Sequence, residues 1–318
     1  MPNQSQKVTE ILGTTYPIIQ APMNWVTSAE LVASVSNAGG LGVLGPNAGQ
    51  HDDSTPEEAY DRMRAEMRKT KQLTDKNFGV NILLPNNPFS DALLKAAFDE
   101  GVRYFATVGQ ADEAVFQQIK AHNGIIIHRP LAPTSGEMQE AERLGADLLV
   151  ATGYDEGGII PDRHVGTFTI VPAMVDAVSL PVLAAGGIND RRGVKAAYAL
   201  GASGVYVGSR FLMTQESPMA DEVKEVLRHA KNEDMLLVAK KQRSLSTDFA
   251  RELEGRYQSK DASDENTQLI RERGGVRAGM LEGDLENGIV SMNTGLEIIK
   301  DIPTVEELIL SLMSDVER

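Results

Sequence analysis

Two stretches decide the fold: Pro181-Val-Leu-Ala-Ala-Gly-Gly-Ile-Asn-Asp190 and, one helix-length further on, Gly204-Val-Tyr-Val-Gly-Ser-Arg-Phe211. Each is a short apolar run that ends in a glycine turn, and each turn leads into residues of helical character. That order is the βα unit of a parallel sheet, in which the strand is buried on both faces and the helix packs outside it. The same alternation extends upstream. Apolar runs predict strands at Pro17–Gln20, Leu41–Leu44, Phe78–Asn81, Tyr104–Thr107, Gly124–His128, Asp147–Ala151, Pro181–Ala185 and Gly204–Val207, eight in all. Between them, amphipathic patterns predict helices at Ser28–Asn37, Pro56–Thr70, Ser90–Glu100, Ala111–Ala121, Ser135–Leu144, Thr169–Val178 and Asp190–Leu200, with a last one opening near Pro218. Breaks at Gly39, Gly101, Gly124, Gly145 and Gly201 suit helix C-termini. Eight parallel strands with helices outside close naturally as a (β/α)8, or TIM, barrel.

The pattern changes after the eighth unit. From about Asn232 to Asn287 the chain is charge-rich and helical in propensity, as in Lys240-Lys-Gln-Arg-Ser and Asp248-Phe-Ala-Arg-Glu-Leu-Glu, with glycines at 274, 275, 279 and 283. The expected organisation is therefore a barrel over residues 1–231, a small helical lid over 232–287, and closing helices over 288–318 that pack on the barrel. The closing helices are read at Gly288–Ile299 and Val305–Val316, the second begun by Pro303-Thr304 with Glu306 and Glu307 in its first turn.

Composition narrows the function. The 318 residues are 42% hydrophobic and 24% charged, an ordinary globular balance, and the absence of cysteine excludes thiol catalysis, thiolate metal sites and disulfides. A formal charge of −14 repels the phosphates of nucleic acids and anionic lipid, so neither nucleic acid nor membrane is expected as a partner. No run approaches the ~18 apolar residues that span a bilayer. The start, Met1-Pro-Asn-Gln-Ser-Gln-Lys7, lacks the apolar run of a secretory signal, so the expected location is the cytoplasm.

Barrel chemistry sits where strands end. The residues just after the predicted strands are Ala21-Pro-Met-Asn-Trp25, Gly45-Pro-Asn-Ala-Gly49, Asn81, Val108-Gly109, His128-Arg-Pro130, Thr152-Gly-Tyr-Asp-Glu-Gly-Gly158, Gly186-Gly-Ile-Asn189 and Gly208-Ser-Arg210. The last two follow strands seven and eight, where barrels commonly hold a phosphate on glycine amides and a helix N-terminus. Asn81 ends an apolar strand, and a buried amide there needs a hydrogen-bonding partner such as a heterocycle edge. Gly40-Leu-Gly-Val-Leu-Gly45 matches the dinucleotide fingerprint by its letters only, because it lies on a predicted strand after a helix and not between a strand and a helix. The histidines are His51, His122, His128, His164 and His229, and no pair of them has metal-ligand spacing, so no metal is expected. His128 closes strand five and is expected to face the mouth; His164 lies in the loop after strand six; either suits a general acid or base.

Taken together, Pro17-Ile-Ile-Gln-Ala-Pro-Met-Asn-Trp-Val26, Asn37-Ala-Gly-Gly-Leu-Gly-Val-Leu-Gly45, Asn77-Phe-Gly-Val-Asn81, Arg143-Leu-Gly-Ala-Asp147, Pro181-Val-Leu-Ala-Ala-Gly-Gly-Ile188 and Leu200-Gly-Ala-Ser-Gly-Val-Tyr-Val-Gly-Ser-Arg-Phe211 resemble the nitronate monooxygenase family, also called the 2-nitropropane dioxygenase family, which includes the flavin-dependent enoyl-acyl-carrier-protein reductase. The resemblance implies a TIM barrel that binds FMN non-covalently. Pro22, Met23 and Asn24 would line the isoalloxazine, Asn81, His128 and Gly153 would border it, and Gly186, Gly187, Gly208 and Ser209 would hold the phosphate. Family members carry a histidine where this chain has Ile159, and the nearest histidine, His164, stands beyond it. The acid/base role therefore falls to His164, to Tyr154, Asp155 or Glu156, or to none of them. The implied activities are nitronate oxidation with oxygen or flavin reduction by NADH or NADPH; the alternatives are reduction of an enoyl thioester, or a flavin-binding barrel without turnover. The implied partner is a small molecule, whether nitronate, quinone or enoyl thioester, and a homodimer is compatible with the family.

Overall fold

The computed structural model describes residues 4–49, 55–85, 87–260 and 262–316, and His51 lies outside them. Helix α1 (Gln4–Leu12) precedes eight parallel strands: β1 (Ile18–Gln20), β2 (Gly42–Leu44), β3 (Phe78–Leu83), β4 (Tyr104–Val108), β5 (Ile125–Arg129), β6 (Leu148–Thr152), β7 (Val182–Ala185) and β8 (Gly204–Val207). Each neighbours the next in space, and β8 pairs in register with β1. A single parallel bridge, Ile19 to Leu41, joins β1 to β2 and closes the ring. The fold is a (β/α)8 barrel.

The crossover helices are α2 (Ala29–Asn37), α3 (Pro56–Leu73), α4 (Ser90–Asp99), α5 (Glu113–Ala121), α6 (Ser135–Arg143), α7 (Thr167–Val175) and α8 (Arg191–Ala199). After β8 come a short α9 (Ser209–Leu212) and α10 (Asp221–His229). Their starts follow from capping. Ser28, Asp112, Thr134 and Asp190 each accept a hydrogen bond from a first-turn amide, and Thr55 forms a reciprocal capping box with Glu58.

Strand parity sorts the side chains into two cores. Ile19, Leu41, Val43, Ala106, Ile127, Leu148, Val150, Leu183, Ala185 and Tyr206 fill the barrel interior. Their neighbours along the strands, among them Ile18, Val80, Phe105, Ile126, Leu149, Ala151 and Val205, face the helices and pack with them.

Two expectations for the C-terminal third need correction. The segment read as a small helical lid contains an antiparallel hairpin, β9 (Met235–Ala239) and β10 (Gln242–Leu245), ahead of α11 (Asp248–Lys260), α12 (Ser263–Glu272) and a π-helical turn at Arg277–Leu281. Residues 288–299, read as a helix, run irregularly, with only a 3-10 turn at Leu296–Ile298, because their amides bind distant partners: Val290 and Asn293 donate to Ser244 and Ser209 hydroxyls. The final helix, α13 (Val305–Leu312), starts as its sequence predicts, with a capping box between Thr304 and Glu307. Among the described residues no helix is long and apolar enough to cross a membrane.

Candidate active site

The site is built where the strands end and the loop after β6 meets the hairpin. The turn after β1 is held by Thr27, whose hydroxyl accepts from the Met23 amide (3.0 Å) and donates to the Met23 carbonyl (2.7 Å). Pro22 and Met23 are half-buried and Asn24 is exposed. Trp25 takes a left-handed backbone, φ 67°, unusual for a bulky residue, and the Arg277 guanidinium lies 5.6 Å from its ring centroid.

Across the mouth, Gly153 and Gly186 let the β6 and β7 turns touch the start of α7. A Cβ on Gly153 would stand 2.2 Å from the Thr167 hydroxyl, and Gly186 has φ +103° with a Cβ position 2.7 Å from that same oxygen. The Thr167 hydroxyl donates to the Gly186 carbonyl at 3.0 Å. Among the described residues, the backbone N–H groups of Gly186, Gly187, Gly208 and Ser209 donate to no protein acceptor, and Gly208, which precedes α9, gives it no side-chain cap. Ser209 accepts from the Asn293 amide at 2.9 Å, which leaves its own proton to donate. Behind it Asn189 and Asn293 exchange amide hydrogen bonds at 3.1 and 2.6 Å. A Cβ on Gly208 would reach only ordinary contact with Ala21 and Met23, 3.6 and 3.7 Å away, so there is room between the β8 and β1 turns. Uncommitted amides beside that room fit a phosphate and its attached ring system.

Asn81 points into the barrel and donates to the Ala106 carbonyl at 2.7 Å. His128 does not face the mouth as expected. It has the outward parity of Ile126: its Nδ1 bonds the Thr107 hydroxyl at 2.9 Å and its ring meets Phe116 of α5 edge-on at 5.4 Å. Burial pushes its imidazole down to about 4, so it is neutral at ordinary pH. The inward position belongs to Arg129, which the sequence reading passed over. Arg129 is 9% exposed; its Nε donates to the Thr152 hydroxyl at 3.1 Å, and one Nη reaches both carboxylate oxygens of Glu156 at 2.5 Å.

The four acid/base candidates lie together on the loop after β6, in different states. Asp155 is committed: its carboxylate accepts from the Thr167 amide at 2.6 Å, and its carbonyl accepts from the Thr294 amide at 3.1 Å. Glu156 is buried against Arg129, and burial outweighs the pull of Arg129 and Arg243 and pushes its carboxyl up to about 7. Tyr154 has two ring neighbours. His164, itself exposed, stacks on it with ring centroids 4.2 Å apart, and the Arg243 guanidinium lies 4.2 Å from its ring centroid. Arg243, from β10, also donates to the Glu156 carbonyl at 2.8 Å, and a bridge from Ile159 to Gln242 ties loop and hairpin together. Ile159 is 47% exposed and Phe168, in the first turn of α7, 72%.

The model of the nitronate monooxygenase family matches residues 5–315. This chain belongs to the nitronate monooxygenase family. It is an oxidoreductase, as that family's members are. Over 97% of its length it is 30% identical to the (3aS,4S,5R,7aS)-5-hydroxy-7a-methyl-1-oxo-octahydro-1H-indene-4-carboxyl-CoA dehydrogenase of Rhodococcus jostii, 94% of which is covered. It is 31% identical to the Probable nitronate monooxygenase of Staphylococcus haemolyticus, over 84% of this chain and 86% of that one. Among solved structures, FabK from Thermotoga maritima superposes with a TM-score of 0.86 at 31% identity, over 97% of this chain and 94% of that one. The nitroalkane oxidase of Streptomyces ansochromogenes shares the fold at 23% identity, with a TM-score of 0.79 over 98% and 97% of the two chains.

Proposed function

We propose that the barrel mouth binds FMN and that the enzyme uses it to oxidise nitronates with oxygen or to take hydride from NADH or NADPH. The observation that carries this reading is the set of uncommitted amides at Gly186, Gly187, Gly208 and Ser209, at the strand-seven and strand-eight turns where a flavin phosphate belongs. Pro22, Met23 and Asn24 would lie along the isoalloxazine, with Asn81 and Gly153 at its border. Bound FMN supplies the two-electron acceptor, which the polypeptide lacks. The residues do the rest: the β1 turn and the glycine turns fix the ring, and Arg129 and Arg243 place positive charge at the mouth. A nitronate arrives already deprotonated and a dihydronicotinamide gives hydride without losing a proton, so both donors are compatible with Ile159 in place of a histidine. The setting proposed is the cytoplasm, with small-molecule substrates.

A second reading, reduction of an enoyl thioester, is favoured by the likeness to a dehydrogenase whose substrate is a carboxyl-CoA thioester. It requires a proton donor at the substrate carbon, and Glu156, Tyr154 and His164 are the groups within the loop that carry one. The test is the visible spectrum of purified protein mixed anaerobically with NADH, NADPH or propionate 3-nitronate, and then with a crotonyl thioester. Bleaching by nitronate or nicotinamide is the expected result; thioester-dependent nucleotide consumption would favour the second reading. A yellow protein that no donor bleaches would be a flavin carrier without turnover, and a colourless protein that cannot be reconstituted with FMN overturns the proposal.

A further inference from the structure

Arg129 is a buried guanidinium whose hydrogen bonding within the protein leaves one Nη over. Its Nε is taken by Thr152 and one Nη by Glu156, while among the described residues the other Nη donates to no protein acceptor. The residue stands at the C-terminal end of β5 with inward parity, so the unused N–H groups belong to the mouth side of the barrel interior. Glu156 is held by its backbone: its amide donates to the Gly153 carbonyl at 3.2 Å and its carbonyl accepts from Arg243 at 2.8 Å. Only the end of its side chain is fixed by Arg129, and it is followed by Gly157 and Gly158. A single Nη shared between two oxygens is a poorer arrangement than the parallel fork a guanidinium can offer a planar oxyanion. A ligand with two oxygens across both Nη groups would make that fork.

We propose that Arg129 is the receptor for a planar oxyanion on the substrate, a nitronate or a carboxylate, and that Glu156 is its resident counterion, displaced and protonated as that oxyanion binds. This rests on the reading of the mouth as a site for an anionic substrate. No bond to carbon changes in this step: one oxyanion enters, and one proton passes from solvent to the Glu156 carboxylate. The groups facing Glu156 are Arg129 from β5, Arg243 from β10 and the buried Tyr206 hydroxyl from β8, with Tyr154 and Asp155 on its own loop. With Arg129 turned to the substrate, a carboxylate in this buried place loses its nearest cation and gains a like charge, so the carboxyl form is favoured. Since the carboxyl already sits near 7 with Arg129 beside it, the proton uptake belongs above neutral pH.

The consequence separates a counterion from a catalytic carboxylate, because removing its charge should tighten anion binding and not weaken it. The probe is nitrate, a planar oxyanion with no carbon to oxidise, titrated calorimetrically into FMN-loaded protein in two buffers of different protonation heat. Above about pH 7 wild type should take up about one proton per nitrate, with Kd rising about tenfold per pH unit, and both effects should fade by about pH 6. Glu156→Gln should bind nitrate about tenfold tighter than wild type near pH 8, without pH dependence, and Arg129→Gln should not bind it. Nitrate binding near pH 8 without proton uptake, weaker binding by Glu156→Gln, or no binding by wild type would each overturn the proposal. If Glu156→Gln does not fold, the proton count of wild type still decides. Calorimetry needs no chromophore: a protein that never takes up FMN yet binds nitrate with a proton defeats the flavin reading and leaves this one standing.

Discussion

His128 and Arg129 are one step apart on β5, and that step is the difference between the helix side and the mouth of the barrel. Ile125, Ile126 and Ile127 form an unbroken apolar run, as fully buried parallel strands do, so nothing in the run itself says which residues point inward. The structure supplies the phase, and Arg129, not His128, takes the inward position at the end of β5. His128 is then a stability group. Its imidazole is pushed down to about 4 while an unfolded histidine titrates near 6.5, so the unfolded state binds the extra proton between those values, and stability falls as pH falls through that window. The loss should approach roughly 3 kcal/mol by about pH 4, and it should be absent from the slope of unfolding midpoint against pH in His128→Gln. Gly187 belongs to the same scale. A carboxylate there would meet Asp155, whose Cβ lies 3.2 Å from the position of an added Cβ, and would set a second negative charge beside the proposed phosphate. Gly187→Asp should purify colourless, and retained flavin would sink the phosphate assignment.

At the scale of elements, the loop after β6 is shaped by what it must join. Asp155 sits at the start of α7 and takes the Thr167 amide, an anchoring role that a helix N-terminus favours for an acidic residue. Asp155→Ala should therefore cost about 1 kcal/mol of stability in denaturant unfolding, with a smaller loss of turnover than the 10²–10⁴-fold of a missing general base. A loss in that larger range with unchanged stability would return Asp155 to the list of acids and bases. The eight strands and their helices could be read from the sequence because each unit repeats one local pattern. The hairpin could not. Met235-Leu-Leu-Val-Ala239 is a good strand, but it lies in a charge-rich run with helical propensity, and its partner Gln242-Arg-Ser-Leu245 is mostly polar. What makes β10 a strand is tertiary: Arg243 on Tyr154 and Glu156, Gln242 against Ile159, and the Leu245 amide on the Val290 carbonyl. Residues 288–299 are equally dictated from afar, since Asn293 reaches both Asn189 and Ser209.

For the whole molecule, the same division between local and distant support predicts where it opens first. The hairpin, α11 and α12 share a small core of Val238, Phe249, Ala250, Leu253, Ile270 and Ile289, separate from the two cores of the barrel. Amide hydrogen exchange should reach β9, β10, α11 and α12 before β3 to β6, and exchange of all of them together would mean a single cooperative unit. The site as a whole was legible in part for a related reason. Its glycine turns carry local signatures, whereas Arg129 and Arg243 are ordinary surface-type residues until the fold brings one to the carboxylate of Glu156 and the other to its backbone carbonyl. Those guanidiniums sit inside a chain of net charge −14, and this has a kinetic side. An anionic substrate of the kind proposed would cross a repulsive field before it met them, so its encounter would be slowest in dilute buffer. Adding salt from about 10 to 100 mM, which shortens the reach of that field from about 30 to 10 Å, should raise kcat/KM for a nitronate severalfold and leave that for an uncharged quinone unchanged.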